Sequence, residues 1–348
     1  MTIAPLSPGV ASDRGAAGKQ NEDAYTFFKI GPGEWRAEAG QSLYVLVVAD
    51  GVTSKVGGAQ ASRIATETIE RTFQLKAPAL LAQLNGTSES VITQFMSEVV
   101  HAANEEIRKV ARRQPELGSM STTLVLAVLA AGRLYVAHLG DSRAYLIRGR
   151  QIHRLTLDHN WVQDALDQQK MSLEEASVHP NRNVILRYLG IRDSIEVDHN
   201  IVVPGTYQEG LNRKYATSIP VEAGDLILLC SDGQTEKVPD QELLAIASSS
   251  PQQPQKAVDA MIQRALARRE EDNITALLLA IPAKSQPWLY YGVGALLLLG
   301  VVVVALLFSG LWTAQQNNDG VATPPAAIAL AGETPTATSE ETTAETGA

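Results

Sequence analysis

TTLVLAVLAAGRLYVAHLGDSRAYLIRGRQIHRL (122–155) reads as a series of short β-strands joined by tight turns. The dipeptides Ala131-Gly132 and Gly149-Arg150 separate its apolar runs, as expected for neighbouring antiparallel strands. Helical periodicity occurs at 58–75, 88–113 and 254–268. Strands are predicted at 43–49, 123–130, 133–139, 143–148, 195–203, 225–231 and 274–281. Because hairpin strands are interspersed with paired helices, the sequence predicts an α+β fold with antiparallel sheets covered by helices.

Four aspartates stand at the ends of apolar, strand-like runs. These runs are LYVLVVADG (43–51), LYVAHLGDSR (134–143), DLILLCSDG (225–233) and EDNITALLLAI (271–281), with the aspartates at Asp50, Asp141, Asp232 and Asp272. Adjacent strands bring their ends together however far apart they lie in sequence, so we expect these carboxylates to meet at one sheet edge. NEDAY (21–25) adds further acid near the start of the chain.

Gathered carboxylates repel one another unless a positive charge lies between them. The four motifs offer only oxygen ligands, which hard cations such as Mg²⁺ and Mn²⁺ prefer. This composition indicates the chemistry of a metal-activated water attacking phosphate.

Each aspartate also has a structural interpretation. Asp50-Gly51 and Asp232-Gly233 are common turn dipeptides. Asp141 could form a salt bridge with Arg143, and Asp272 could cap the entry to a strand.

The end of the chain differs from the rest in composition. Residues 289–311 form an uncharged run of 23 residues flanked by Trp and Tyr, long enough as a helix to cross a bilayer. Residues 1–283 are predicted to form one domain, 284–288 a short juxtamembrane linker and 312–348 a disordered tail rich in Thr, Ala, Pro and Glu. The N-terminus lacks a signal-peptide pattern.

Charge predicts the orientation of this span. The net charge is −9, and five acids and no base follow Ser285, which leaves −4 on the first 284 residues. Lys284 precedes the span and nothing basic follows it, so the positive-inside rule predicts a single-pass protein of the cell membrane with a cytoplasmic N-terminal domain and an outer tail. No basic face suggests a nucleic-acid partner.

The ordered motifs resemble the PPM (type 2C) family of metal-dependent Ser/Thr protein phosphatases, in a bacterial form with a C-terminal transmembrane helix. The resemblance runs from Ser12 to Ile281 through SDRG, NEDAY, VVADGV, STTLVLAVL, AHLGDSRAYL, LTLDHN, HPNRNVILRYLG, GDLILLCSDG and EDNITALLL. It implies a four-layer α/β/β/α sandwich with two to three Mn²⁺ or Mg²⁺ ions at one end. The implied activity is hydrolysis of phosphoserine and phosphothreonine by a water that bridges the metals.

The resemblance also implies roles for individual residues. Asp50 resembles the carboxylate that bridges two metals, and the Gly51 carbonyl would bind one of them. Asp232 and Asp272 would bind the other, and Asp141 with Asp232 a third. Glu22 and Asp23 resemble residues that hold metal-bound waters and do not bind metal directly. The resemblance implies Asp50, Asp232 and Asp272 as the catalytic residues.

The chain departs from the family pattern at two positions. Gly18 stands where many members carry the Arg that grips the substrate phosphate, so Lys19 or Arg14 is expected to take that role. Val52 stands where eukaryotic members place a His that protonates the leaving group; bacterial members commonly lack that His.

The remaining expectations concern partners. The segment Gln163–Val178 resembles a flap that borders the cleft and is expected to influence substrate choice. His159 matches a family position near the site, and a structural hydrogen-bonding role is at least as well supported. Phosphorylated proteins and a membrane-anchored Ser/Thr kinase are the expected partners. A catalytically silent phosphoprotein-binding or scaffolding module of the same fold is the alternative, favoured by Gly18.

Overall fold

The computed structural model describes residues 6–32, 42–52, 57–83, 89–190, 194–206, 213–283 and 298–308. Contacts divide the chain into two units, Met1–Lys284 and Ser285–Ala348. The strands of the first unit are β1 (Pro8–Asp13), β2 (Ala24–Ile30), β3 (Leu43–Ala49), β4 (Leu124–Ala130), β5 (Arg133–Leu139), β6 (Arg143–Arg148), β7 (Gln151–Arg154), β8 (Ile201–Val202), β9 (Tyr215–Ala216), β10 (Ile219–Pro220), β11 (Leu226–Cys230) and β12 (Ile274–Ala280).

The helices are α1 (Gly57–Gln83), α2 (Glu89–Arg113), α3 (Trp161–Asp167), α4 (Leu173–Val178), α5 (Asp232–Lys237), α6 (Asp240–Ser249) and α7 (Pro254–Ala267). A short 3₁₀ helix spans Pro115–Leu117.

Two five-stranded sheets form the centre of this unit. One has the order β1-β12-β11-β6-β7 and the other β10-β5-β4-β3-β2, while β8 and β9 pair separately. All of their pairings are antiparallel.

Strand β3 shows how the layers stack. Its seven residues are all buried, and alternate side chains point to opposite faces. Leu43, Val45 and Val47 join the core that contains α1 and α2 side chains. Tyr44 and Leu46 join the core between the sheets, while the other sheet packs its outer face on α6 and α7. The predicted four-layer sandwich of two antiparallel sheets flanked by helices is confirmed.

The central strands and long helices follow the sequence pattern, and the peripheral elements do not. The predicted strands at 43–49, 133–139 and 143–148 are confirmed, whereas the helix predicted at 58–75 continues through Pro78 because Ala77 and Leu80 are buried. The strand predicted at Ile195–Val203 is wrong except for Ile201–Val202. There, the Asp198 side chain accepts a hydrogen bond from the Asn200 amide and turns the backbone.

In the second unit, residues 298–308 are helical and their apolar side chains are exposed. Within the described residues no helix is both long and apolar enough to span a bilayer. Residues 289–297 and 309–311 of the predicted span lie outside the described ranges, as do the linker 284–288 (from Lys284 on) and the tail 312–348. The span therefore stays a prediction.

Candidate metal centre

Strand register brings the acidic residues to one end of both sheets. Asp23 precedes β2 and Asp50 follows β3, and their neighbours Ala24 and Ala49 are directly paired. In the other sheet Asp232 follows β11 and Asp272 precedes β12, where Cys230 pairs with Ala276. Antiparallel pairing thus places residues up to 249 positions apart in sequence at one edge.

The Asp50-Gly51 backbone is held rigidly. The Asp50 carbonyl accepts hydrogen bonds from the Thr122 hydroxyl and the Thr123 amide, both at 2.8 Å, and the Asp50 amide donates to Thr123 Oγ1 at 3.1 Å. The Gly51 amide donates to the Glu22 carbonyl at 3.2 Å. A Cβ at Gly51 would lie 2.5 Å from the Gly58 backbone, so only glycine fits there.

Asp232 opens helix α5 and does not form the simple turn considered from its sequence. The next residue, Gly233, packs so closely that a Cβ would lie 2.2 Å from the Asn273 carbonyl oxygen. This approach brings the α5 N-terminus against the loop that carries Asp272. Glu236 follows Asp232 by one helical turn and also raises its pKa.

Asp141 lies in the connection between β5 and β6, which joins the two sheets. The alternative salt bridge to Arg143 is not formed, because Arg143 donates from Nε and Nη2 to both oxygens of Asp158, at 3.0 and 2.7 Å. Asp158 takes a second buried guanidinium from Arg154. Arg143 thus bonds Asp158 and not Asp141, although its charge still acts to lower the pKa of Asp141.

The electrostatics of the cluster are strongly unfavourable to charge. Burial, followed by the carboxylates of Asp23 and Asp232, raises the pKa of Asp50 well above its usual value. Burial and then Asp141 do the same to the pKa of Asp232. For Asp141, burial and then Asp158 raise the pKa to about 7.

Several oxygens in this cluster are buried without partners. None of the described residues hydrogen-bonds to Oδ1 of Asp23, Asp141 or Asp232. Buried polar atoms are almost always satisfied, so each orphan requires an explanation. A divalent cation would supply both the missing ligand and the missing positive charge, and the all-oxygen donor set suits Mg²⁺ or Mn²⁺. The residues present therefore fit the implied metals.

Glu22 and Asp23 lie immediately beside this cluster. The Glu22 amide donates to Asn273 Oδ1 at 2.7 Å, and Asp23 Oδ2 accepts from the Ser231 hydroxyl at 2.8 Å. Burial is the main reason that the pKa of Glu22 rises to about 7 and that of Asp23 to about 6. The Asp23 side chain is held by Ser231, and the Glu22 carboxylate accepts a hydrogen bond from the Ala59 backbone, at the edge of the cluster.

The two candidate phosphate-binding cations differ in position. The Lys19 charge lowers the pKa of Glu22, which places it next to the acidic cluster. Arg14 accepts a hydrogen bond from Asn273 Nδ2 through its carbonyl, at 3.2 Å, and its side chain is exposed. Gly18 has a φ of 65° in the turn before Lys19, a left-handed conformation that disfavours the family's arginine.

Sequence reasoning missed three acidic residues around the site. They are Glu236, Asp158 and Glu270; the Glu270 side chain accepts the amides of Glu271 and Asp272 at 2.8 and 3.1 Å. The four-residue spacing from Asp232 to Glu236 on a helix was a usable signal. Glu270 holds the loop that carries Asp272, and sequence periodicity cannot predict a contact within a loop.

Comparison with known proteins identifies the family. A family model described as Protein phosphatase 2C matches residues 13–279. A serine/threonine phosphatase stp of Listeria monocytogenes is 33% identical over 267 residues, covering 77% of this chain and 92% of that protein. PstP of Mycobacterium tuberculosis is 30% identical over 270 residues, covering 77% of this chain and 43% of that longer protein.

Solved structures agree with this assignment. The structure of M. tuberculosis PstP/Ppp has a TM-score of 0.59 and 26% identity, covering 80% of this chain and 99% of that chain. Staphylococcus aureus Stp1 has a TM-score of 0.60 and 25% identity, covering 80% and 96%. The two-sheet fold, the ordered motifs and these relatives lead to one conclusion: the chain belongs to the protein phosphatase 2C family, the PPM-type Ser/Thr phosphatases.

Proposed function

We propose that this chain is a Mn²⁺- or Mg²⁺-dependent phosphatase that hydrolyses phosphoserine and phosphothreonine in proteins. The observation that carries the proposal is the cluster of carboxylates in which several oxygens are buried without a partner and the pKa values are raised. The catalytic domain of PstP, of the same fold, is described as a complex with two manganese ions. The choice between the two metals, and their number here, belongs to the proposal.

Asp50, the Gly51 carbonyl, Asp232 and Asp272 would hold two of the ions, and Asp141 with Asp232 a third. When bound, such cations lower the pKa of water and stabilise charge on phosphoryl oxygens. The Thr122 and Thr123 hydrogen bonds fix the Asp50 backbone, so its carboxylate needs little reorganisation. Glu22 and Asp23, whose pKa values burial raises to about 7 and about 6 in the absence of metal, would hold waters at the edge of the site.

Substrate would enter beside α3 and α4. A cavity of about 690 Å³ is lined by these two helices and by α5; its residues include Val162, Leu173, Arg182, Glu236 and Lys237. Glu236 lines this cavity and follows Asp232 by one helical turn, and its charge raises the pKa of Asp232. Lys19 would supply the cation for the substrate phosphate, as a point charge without the bidentate grip of arginine.

The proposal includes a membrane tether through 289–311, with the phosphatase domain in the cytoplasm and the tail outside. Its support is the uncharged run of 23 residues and the exposed apolar side chains of 298–308. A tether would concentrate the enzyme near membrane-anchored Ser/Thr kinases and their substrates. Fractionating cells that express the full chain and testing access of protease to the tail would check this part.

The alternative is a silent phosphoprotein-binding module, and Gly18 is the feature that favours it. Phosphate release from a phosphothreonine peptide by the detergent-solubilised full chain separates the two. We expect turnover with Mn²⁺ or Mg²⁺, none with EDTA, and a loss of roughly 10³-fold from Asp50→Asn. Binding of Mn²⁺ and phosphopeptide without phosphate release would establish the alternative.

A further inference from the structure

His159 makes two hydrogen bonds to Gly140, the residue that precedes Asp141. Its backbone amide donates to the Gly140 carbonyl at 2.8 Å, and its ring Nδ1 accepts the Gly140 amide at 3.2 Å. On the other side, a Cβ at Gly140 would lie 2.6 Å from the Thr123 side chain. Gly140, with a φ of 104°, is therefore clamped between His159 and the threonine that orders Asp50.

These contacts fix the tautomer of His159. Because Nδ1 accepts a hydrogen bond, the proton of the neutral ring must lie on Nε2. Nε2 then donates to Asp198 Oδ2 at 3.3 Å, and Asp198 Oδ1 accepts the Asn200 amide at 2.8 Å. In this hydrogen-bond network every donor meets an acceptor, and moving the ring proton of His159 to Nδ1 would leave two donors facing each other at Gly140.

His138 holds this hydrogen-bond network in place. Asp198 and His138 exchange backbone hydrogen bonds at 2.9 and 3.3 Å, and the His138 ring stacks on His159 with centroids 4.5 Å apart. Burial, and then His159, lowers the pKa of His138 to about 4, so the stacked ring is neutral. Burial by itself would raise the pKa of Asp198, but the hydrogen bond from His159, the Coulomb interaction with His138 and the Asn200 amide together hold it below its usual value.

The same three residues offer ligand atoms within 4.8 Å of one another, as a metal site would. However, both nitrogens of His159 are already engaged, one with an amide proton and one with Asp198. A metal on Nε2 would move the ring proton to Nδ1, where it would meet the Gly140 N–H. The geometry favours a hydrogen-bonded chain over a cation.

We propose that Asp198 and His159 are positioning residues that set the Gly140–Asp141 backbone and so aim the Asp141 carboxylate at its metal. This inference rests on the proposed function, in which Asp141 binds a cation. Asp198 acts by imposing the Nε2–H tautomer, and His159 acts by holding Gly140. Neither residue contacts substrate in this scheme.

The test uses Asp198→Asn in the full chain. The amide keeps the shape of the carboxylate but adds a donor, so one N–H must face either the Nε2–H of His159 or the Asn200 amide. Two-bond ¹⁵N–¹H NMR of the histidine rings, recorded without metal, should show Nε2–H at His159 in the native protein and loss of that state in the variant. Calorimetric Mn²⁺ binding should weaken by about tenfold, as outer-shell substitutions at metal sites do.

A double-substitution cycle connects this loss to Asp141. Asp198→Asn should add no further loss of Mn²⁺ affinity when Asp141→Asn is already present, because both act on one site. Asp225→Asn is the matched control, since Asp225 is also buried and accepts a backbone amide, at the other end of β11. It should leave both the His159 tautomer and Mn²⁺ affinity unchanged.

Two variants of His159 complete the test. His159→Asn retains an acceptor near the position of Nδ1 and should keep most of the Mn²⁺ affinity, whereas His159→Leu should lose as much as Asp198→Asn. An Nδ1–H tautomer in the native protein, additive losses in the cycle, or Zn²⁺ binding that shifts both the His138 and His159 ring signals would overturn the inference. A native Nε2–H tautomer in a protein that binds no Mn²⁺ would instead refute the proposed function.

Discussion

Burial acts to raise the pKa of two carboxylates in this protein, Asp158 and Asp232, and the surroundings of the two compensate it differently. Asp158 is buried, but Arg143 and Arg154 outweigh the burial and hold its pKa well below the usual value. Asp232 faces Asp141, Asp272 and Glu236, which add to the burial and raise its pKa. The negative charge of Asp158 is neutralised by arginines of the protein itself, whereas that of Asp232 requires a bound metal cation.

The largest effect on activity should come from substitutions in the metal-binding carboxylate cluster. Asp232→Asn or Asp50→Asn should lower kcat/KM for a phosphothreonine peptide by roughly 10³-fold, because metal electrostatics supply several kcal/mol of transition-state stabilisation. Without metal the same variants should be at least as stable as the parent, since they remove repulsion. Thermal unfolding in EDTA checks this, and a variant with a clearly lower Tm would contradict it.

Substitution of Asp158, which is paired with Arg143 and Arg154, should instead lower the stability of the protein whether or not metal is present. Asp158→Asn leaves two guanidiniums without their shared carboxylate and should lower the free energy of unfolding by about 3 kcal/mol. Denaturation in EDTA and in Mn²⁺ should show the loss in both conditions. Asp259→Asn, at an exposed carboxylate on α7, is the control and should change stability by less than about 0.5 kcal/mol.

The pH dependence of stability should sharpen the comparison. The pKa of Asp141 is raised to about 7, so the folded state binds this proton more tightly than the unfolded state does. Metal-free protein should therefore gain stability as the pH falls from about 8 to about 6, by about 1 kcal/mol from Asp141 alone. Asp141→Asn should remove about 1 kcal/mol of the total gain, to which the raised pKa values of Glu22 and Asp23 also contribute. A slope unchanged in this variant would count against the assignment.

The smallest effect should come from the substrate cation. Lys19→Met should raise KM for the phosphopeptide by about threefold with little change in kcat, because an exposed ion pair contributes under about 1 kcal/mol. Arg14→Met is the matched control and should change KM less, since only Lys19 is coupled to Glu22. Equal effects of the two substitutions would place the phosphate between them.

Prediction from sequence succeeded where local pattern and topology agree. The strands β3, β5 and β6 were predicted because their apolar runs are long and bounded by turn residues. The meeting of Asp50, Asp232 and Asp272 followed from their common position at strand ends. Strands β1 and β2 were missed because they lie at sheet edges, where partly exposed side chains weaken the pattern.

The sequence by itself determined the family, the layered fold and the four candidate metal-binding aspartates, because these depend on periodicity and on short motifs in a fixed order. Only the tertiary structure decided which acids receive arginine and which do not. Arg143 lies two residues from Asp141 yet bonds Asp158, since side chains alternate along β6 and the pairing depends on strand β7 and the loop after it. The roles of Glu236, Asp198 and His159 likewise arise from contacts between distant segments, which no local pattern encodes.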